Sequence, residues 1–274
     1  MKTIFFLSLI LLGMASCVQS QPNAIAYGNN TSAGKYFNLR GIQMYCEEYG
    51  SGKPLLMIHG NGGSIGAFRN NIGYFATRYH VIALDSRSQG KSVDPADSLS
   101  FEMMADDEAA LLDAMHIESA YVLGWSDGGI NALLLAMRHP GKVIKLASTG
   151  ANLWPDSTAI VPSLWKSDKA RFINTDFKKT RTSEEKNDLK LFLLDWFQPN
   201  IKLTDLQSVQ CPSLIIGGDH DLIRVEHTVQ IYQNITKASL WILPNSGHGT
   251  LIEYADEFNR KVDDFFNEPF HKRQ

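Results

Sequence analysis

The chain has 274 residues, 44% hydrophobic and 20% charged, which suits one large globular domain with a sizeable core. Its formal net charge is -3 and no dense Lys/Arg run occurs, so neither nucleic acid nor an anionic surface is an evident partner. Function is therefore to be sought in a localised site.

Read from the N-terminus, Lys2, the apolar run 4–12 and the small residues around Cys17 form an export signal too short to span a bilayer. Met14-Ala15-Ser16-Cys17 resembles a bacterial lipobox, which implies lipidation of Cys17 and membrane attachment through it. Ordinary signal-peptidase cleavage near Ser20 is the alternative. On either reading the chain is exported, as an envelope lipoprotein or a periplasmic or secreted protein. The expected organisation is an export signal at 1–17, a flexible polar tether at 18–35 and one domain at 36–274. The two remaining cysteines, Cys46 and Cys211, lie far apart in strand-like contexts and read as buried thiols.

From residue 43 onward short apolar runs alternate with longer amphipathic ones, the signature of an α/β sheet with crossover helices. Strands are predicted at 43–49, 55–59, 80–84, 120–124, 143–147, 213–216 and 239–243, and helices at 100–115, 128–139, 226–233 and 251–266. Between about 151 and 209 the rhythm changes. Pro155, Pro162, three tryptophans and a charged middle suggest short helices inserted between two strands. Such an insertion can cover a site as a lid; the alternative is a solvated helical excursion.

The main chemical signal is Gly124-Trp125-Ser126-Asp127-Gly128, which follows one predicted strand and opens one predicted helix. This is the strand-turn-helix setting in which Gly-x-Ser-x-Gly presents a nucleophilic serine. A hydroxyl needs a base, and the base an orienting carboxylate. Both follow at strand ends in the order serine, acid, histidine: Gly218-Asp219-His220-Asp221, then Ser246-Gly247-His248-Gly249. The catalytic candidates are Ser126 and His248, with Asp221 or Asp219 as the acid. Upstream, His59-Gly60-Asn61-Gly62-Gly63 is a glycine-rich turn after an early strand, where the first oxyanion donor is expected. The amides of Asn61 and Asp127 are the candidate pair. The Asp127 side chain, beside the nucleophile, is a candidate partner for a substrate cation such as the ammonium of an amino-acid ester.

Other readings fail on their residues. Gly60, Gly62 and Ile65 miss the third glycine of a dinucleotide loop, and Gly90-Lys91-Ser92 lacks the first glycine of a P-loop, since position 85 is Asp. His220 between two aspartates has no second histidine cluster near it, so no metal site is expected.

On these residues the chain resembles an α/β-hydrolase of the Ser-His-Asp type over almost everything after the tether. Asp85-Ser86-Arg87-Ser88-Gln89-Gly90-Lys91-Ser92 resembles the family's D-x-R-G-x-G-x-S segment, with Ser88 in place of a glycine. The family's acid commonly lies three residues after a strand-ending glycine, so the resemblance implies Asp221, after Gly218, as the acid of the triad, with Asp219 as the second choice. The stretch 124–140 and the ending Ala255-Asp256-Glu257-Phe258-Asn259 are similar to the biphenyl-hydrolase-like group, which includes valacyclovir-hydrolase-type esterases. The resemblance implies an eight-stranded-type, mostly parallel sheet with a helical lid, and hydrolysis of a small-molecule ester through an acyl-enzyme. It implies no cofactor, because nucleophile and base are both protein groups. C–C bond hydrolases and lipases use the same triad, and a non-catalytic envelope binding protein is the alternative from another class. Nothing in the sequence reports an oligomeric state.

Overall fold

The computed structural model describes residues 25–271. Eight strands form one sheet in the order β1-β2-β4-β3-β5-β6-β7-β8. They are β1 (Gly34–Leu39), β2 (Ile42–Tyr49), β3 (Lys53–Ile58), β4 (Tyr79–Leu84), β5 (Ala120–Trp125), β6 (Val143–Thr149), β7 (Ser213–Gly218) and β8 (Ala238–Leu243). Pairings β1–β2 and β2–β4 are antiparallel, and all the others are parallel. The helices are α1 (Ile72–Phe75), α2 (Phe101–Ala114), α3 (Asp127–Arg138), α4 (Pro162–Asn174), α5 (Ser183–Phe197), α6 (Val225–Asn234), α7 (Thr250–Glu253) and α8 (Ala255–Asn267).

The period-two rule divides the strands between two cores. Leu56, Ile58, Ile82 and Leu84 pack with buried residues of α2, α3 and α6, whereas Leu55, Met57, Val81 and Ala83 pack with those of α1 and α8. Central strands covered on both faces are apolar throughout, as parallel strands require.

Four features depart from the sequence expectation. β1 is an additional edge strand. The predicted helix 251–266 breaks at Tyr254 (φ -118°, ψ 36°) into α7 and α8. Of the segment 18–35 expected as a tether, residues 18–24 lie outside the described residues and the part that follows is docked: the Gly28 and Asn30 amides donate to the buried Glu47 carboxylate at 2.7 and 2.8 Å, and Tyr27 meets Tyr49 edge-on at 5.1 Å. Of the two thiols, Cys46 is buried but Cys211 only partly so, and both are free. The region between β6 and β7 does contain inserted helices, α4 and α5. The export signal and Cys17 lie outside the described residues. Among those residues no helix is long and apolar enough to cross a membrane.

Strand register determines what can meet at the C-terminal edge. Ile58 pairs with Gly124, Trp125 with Thr149, Thr149 with Ile216, and Gly218 with Leu243. The loops after β3, β5, β7 and β8 thus leave the sheet at one level, where open α/β sheets bind ligands.

Candidate active site

Ser126 stands between the end of β5 and the first turn of α3 with φ 57° and ψ -119°. A non-glycine residue in that region costs about 1–3 kcal/mol, held here by the Ser126 amide donating to Thr149 O at 2.8 Å and by close packing around the turn. A Cβ at Gly124 would collide with the backbone of Gly128, and one at Gly128 with that of Ile58. The elbow can form only with glycine at both positions.

The serine hydroxyl lies 2.9 Å from His248 Nε2, and His248 Nδ1 lies 2.6 Å from Asp221 Oδ1. Asp221 is 6% exposed, and Oδ1 also accepts from the Ile223 amide at 3.1 Å. Trp125 Nε1 donates to His248 O at 2.9 Å, fixing the histidine loop from the elbow itself. The three groups proposed from sequence are therefore joined in one hydrogen-bonded chain. Asp219 is not part of it: its carboxylate accepts from the Ser246 amide at 3.1 Å, and backbone donors at Asn245 and Ser246 keep it below its ordinary pKa. His220 is exposed, and among the described residues no cluster of His, Cys, Asp or Glu is arranged to hold a metal ion.

The glycine-rich turn sits against the nucleophile; a Cβ on Gly60 would lie 3.0 Å from Ser126 Cβ. His59 orients this turn from beneath. Its Nε2 accepts from the Ser86 amide at 3.0 Å, so the proton is on Nδ1, which donates to Gly60 O at 2.7 Å. Burial lowers its pKa to about 4, so it stays neutral. Asp127, first residue of α3, has an amide with no acceptor inside the helix. Ser88 takes φ 65°, the conformation the usual glycine would supply, and its hydroxyl donates to Asp94 at 3.0 Å.

A cavity of about 170 Å³ opens onto Ser126 and His248 and is lined by Asp127, Asp168 and Asp195, with Leu164 and Ile223 among its apolar walls. The Asp127 carboxyl is 5% exposed, with Oδ2 unpartnered. Burial raises its pKa to about 6, against the opposing effects of Asn61, Asp195 and the His248 charge. Asp195 is exposed at the cavity; crowding by neighbouring atoms and then the adjacent Asp127 carboxylate raise its pKa well above the usual range. Neighbouring carboxylates of like charge disfavour ionisation of both at once. Asp168 and Asp195 come from α4 and α5, and neither was anticipated from sequence. The available signal was Asp195 directly after the apolar run Leu191 to Leu194. A second cavity of about 420 Å³ shares Asp168 and Asp195 and extends past Asn61 to Trp165, Arg171 and Trp196.

A family model described as the alpha/beta hydrolase fold matches residues 53–185. The chain has the α/β-hydrolase fold and is a hydrolase. It is 28% identical to the mouse serine hydrolase BPHL over 270 residues, covering 91% of this chain and 91% of that protein. It is likewise 28% identical over 271 residues to a 2-hydroxymuconate semialdehyde hydrolase of a Pseudomonas species, covering 88% and 96%. In fold it is similar to a meta-cleavage product hydrolase of Pseudomonas fluorescens, with TM-score 0.69 at 24% identity over 87% of this chain and 99% of that one.

Proposed function

We propose that the chain hydrolyses small carboxylic esters through an acyl-enzyme on Ser126, with esters of amino acids or other cationic acids as the favoured class. The observation that carries this reading is the Ser126–His248–Asp221 hydrogen-bonded chain. Ser126 Oγ bonds to the ester carbonyl carbon as His248 Nε2 takes the hydroxyl proton, and Asp221 stabilises the imidazolium. The amides of Asn61 and Asp127 receive the oxyanion. Collapse breaks the bond to the leaving alcohol, which takes the proton from His248. Water then adds to the acyl carbon with His248 again as base, releasing the acid and restoring the serine.

Charge supports this reading over C–C bond cleavage, the reading that the muconate-type relative favours. A muconate semialdehyde carries a carboxylate, while the inner cavity is lined by Asp127, Asp168 and Asp195 without Lys or Arg. Those groups repel an anion and attract an ammonium. Export, with lipid attachment at Cys17, is proposed from the sequence of residues 1–17 alone.

The test is a panel of short p-nitrophenyl esters, amino-acid esters and vinylogous diketones, with Ser126→Ala alongside. The expected result is turnover of the esters, fluorophosphonate labelling of the parent and loss of both in the variant. Retained ester turnover in Ser126→Ala, or turnover of the diketones only, would overturn the assignment.

A further inference from the structure

Gly60 to Gly63 form a β-turn closed by the Gly63 amide donating to Gly60 O at 3.1 Å, with Gly62 at φ +63°. Two forms of such a turn share their ends and differ by a flip of the central peptide, here Asn61–Gly62. A glycine at the third position leaves both accessible. The space beside the Gly62 Cα is open, since a Cβ there would meet nothing within 4 Å.

One side chain does choose. Gln89 Oε1 accepts from the Gly62 amide at 2.7 Å, and Gln89 is only 4% exposed. Its own loop is fixed: the Gln89 amide donates to Ser86 O and the Ser92 amide to Gln89 O, both at 3.0 Å. Within the same loop the Asp85 carboxylate accepts from the Ile65 and Lys91 amides at 2.8 and 2.7 Å. The inserted helix is attached to both partners, through Asn187 Nδ2 to Ser88 O at 2.7 Å and Asn61 Nδ2 to Leu191 O at 3.3 Å. Gln89 occupies a variable position of the segment that resembles the family pattern, so the motif does not account for it.

We infer that Gln89 is a positioning residue, which holds the central peptide of the oxyanion turn in one orientation and links that orientation to the seat of α5. It touches no reacting atom. The inference rests on the proposed role of the turn in binding the oxyanion. Loosening the turn spreads the Asn61 amide over several directions, which penalises the tetrahedral state more than bound substrate.

The experiment compares the full chain with Gln89→Met, which has similar length but no oxygen acceptor, and Gln89→Asn, which falls one methylene short. Rates are expressed per site titrated with a fluorophosphonate, so that partial misfolding does not enter. Expected in either variant is a fall in kcat of about ten-fold or more, below the 10²–10³-fold typical of losing an oxyanion donor outright. KM should stay within about two-fold, and affinity for a boronic acid analogue should fall in step with kcat/KM. If one variant does not fold, the other carries the comparison. An unchanged kcat per titrated site, or a raised KM at constant kcat, would overturn the role of Gln89. Activity of Ser126→Ala, measured in parallel, reports separately on the parent reading.

Discussion

Replacing Asp127 by Asn should make the protein more stable and worse at its proposed task. The carboxyl is 5% exposed, and burial moves its pKa from 3.8 to about 6. Each tenfold change in proton affinity is worth 1.36 kcal/mol, so ionising Asp127 in the folded state costs about 3 kcal/mol. The sign follows from proton counting. Between pH 3.8 and about 6 the folded chain holds a proton that the unfolded chain releases, so this contribution lowers stability as pH rises and is fully adverse above about 6. Against it stands the favourable placement of a negative charge in the first turn of α3, worth about 0.3–1 kcal/mol. Burial wins by about 2 kcal/mol. Thermal unfolding should show Asp127→Asn several degrees more stable at pH 8, with the gain shrinking towards pH 4. The variant should also lose about 10- to 100-fold in kcat/KM on amino-acid esters, the scale of a hydrogen bond to a charged group, with far less loss on des-amino analogues. In the parent, the preference for the cationic ester over its neutral analogue should fall as pH drops through about 6, where Asp127 takes up its proton. A variant less stable at pH 8, or equal losses on both ester classes, would refute the reasoning.

Asp221→Asn should reduce kcat on the order of 10⁴-fold, because the amide orients His248 in the wrong tautomer. Asp219→Asn, whose carboxylate faces the Ser246 amide instead of the histidine, should leave kcat within about three-fold of the parent. Steady-state rates on one short ester check both, and the reverse order would reassign the acid. Asp195→Ala removes a group that holds the Asp127 pKa down, so the pH at which the cationic preference is lost should move up; an unmoved profile would uncouple the two groups.

Those parts of the site ruled by short-range geometry were legible in the sequence. The elbow needs glycine at 124 and 128 because neighbouring backbone fills the space a Cβ would occupy, and that requirement is written in five consecutive residues. The choice of Asp221 over Asp219 rested on the family resemblance, which places the acid three residues after Gly218, and the loop turns the two carboxyls to different partners. β1 was not legible because an edge strand with Lys35, Tyr36 and Asn38 outside the core shows no clear apolar alternation. The break at Tyr254 was hidden because apolar residues on both sides keep a helical period. Asp168, Asp195 and Gln89 were not anticipated because each reaches the site from a segment remote in sequence. No local pattern records that Gln89 faces Gly62, 27 residues away.

The central claim is that the Ser126 hydroxyl carries the acyl group during turnover. Acid-quenching the reaction with a slowly deacylated ester and mapping the added mass by peptide mass spectrometry tests it directly. The account predicts one acyl group per chain, on the peptide containing Ser126, absent when His248 is replaced by Ala. Turnover with an acyl group on another residue would contradict it.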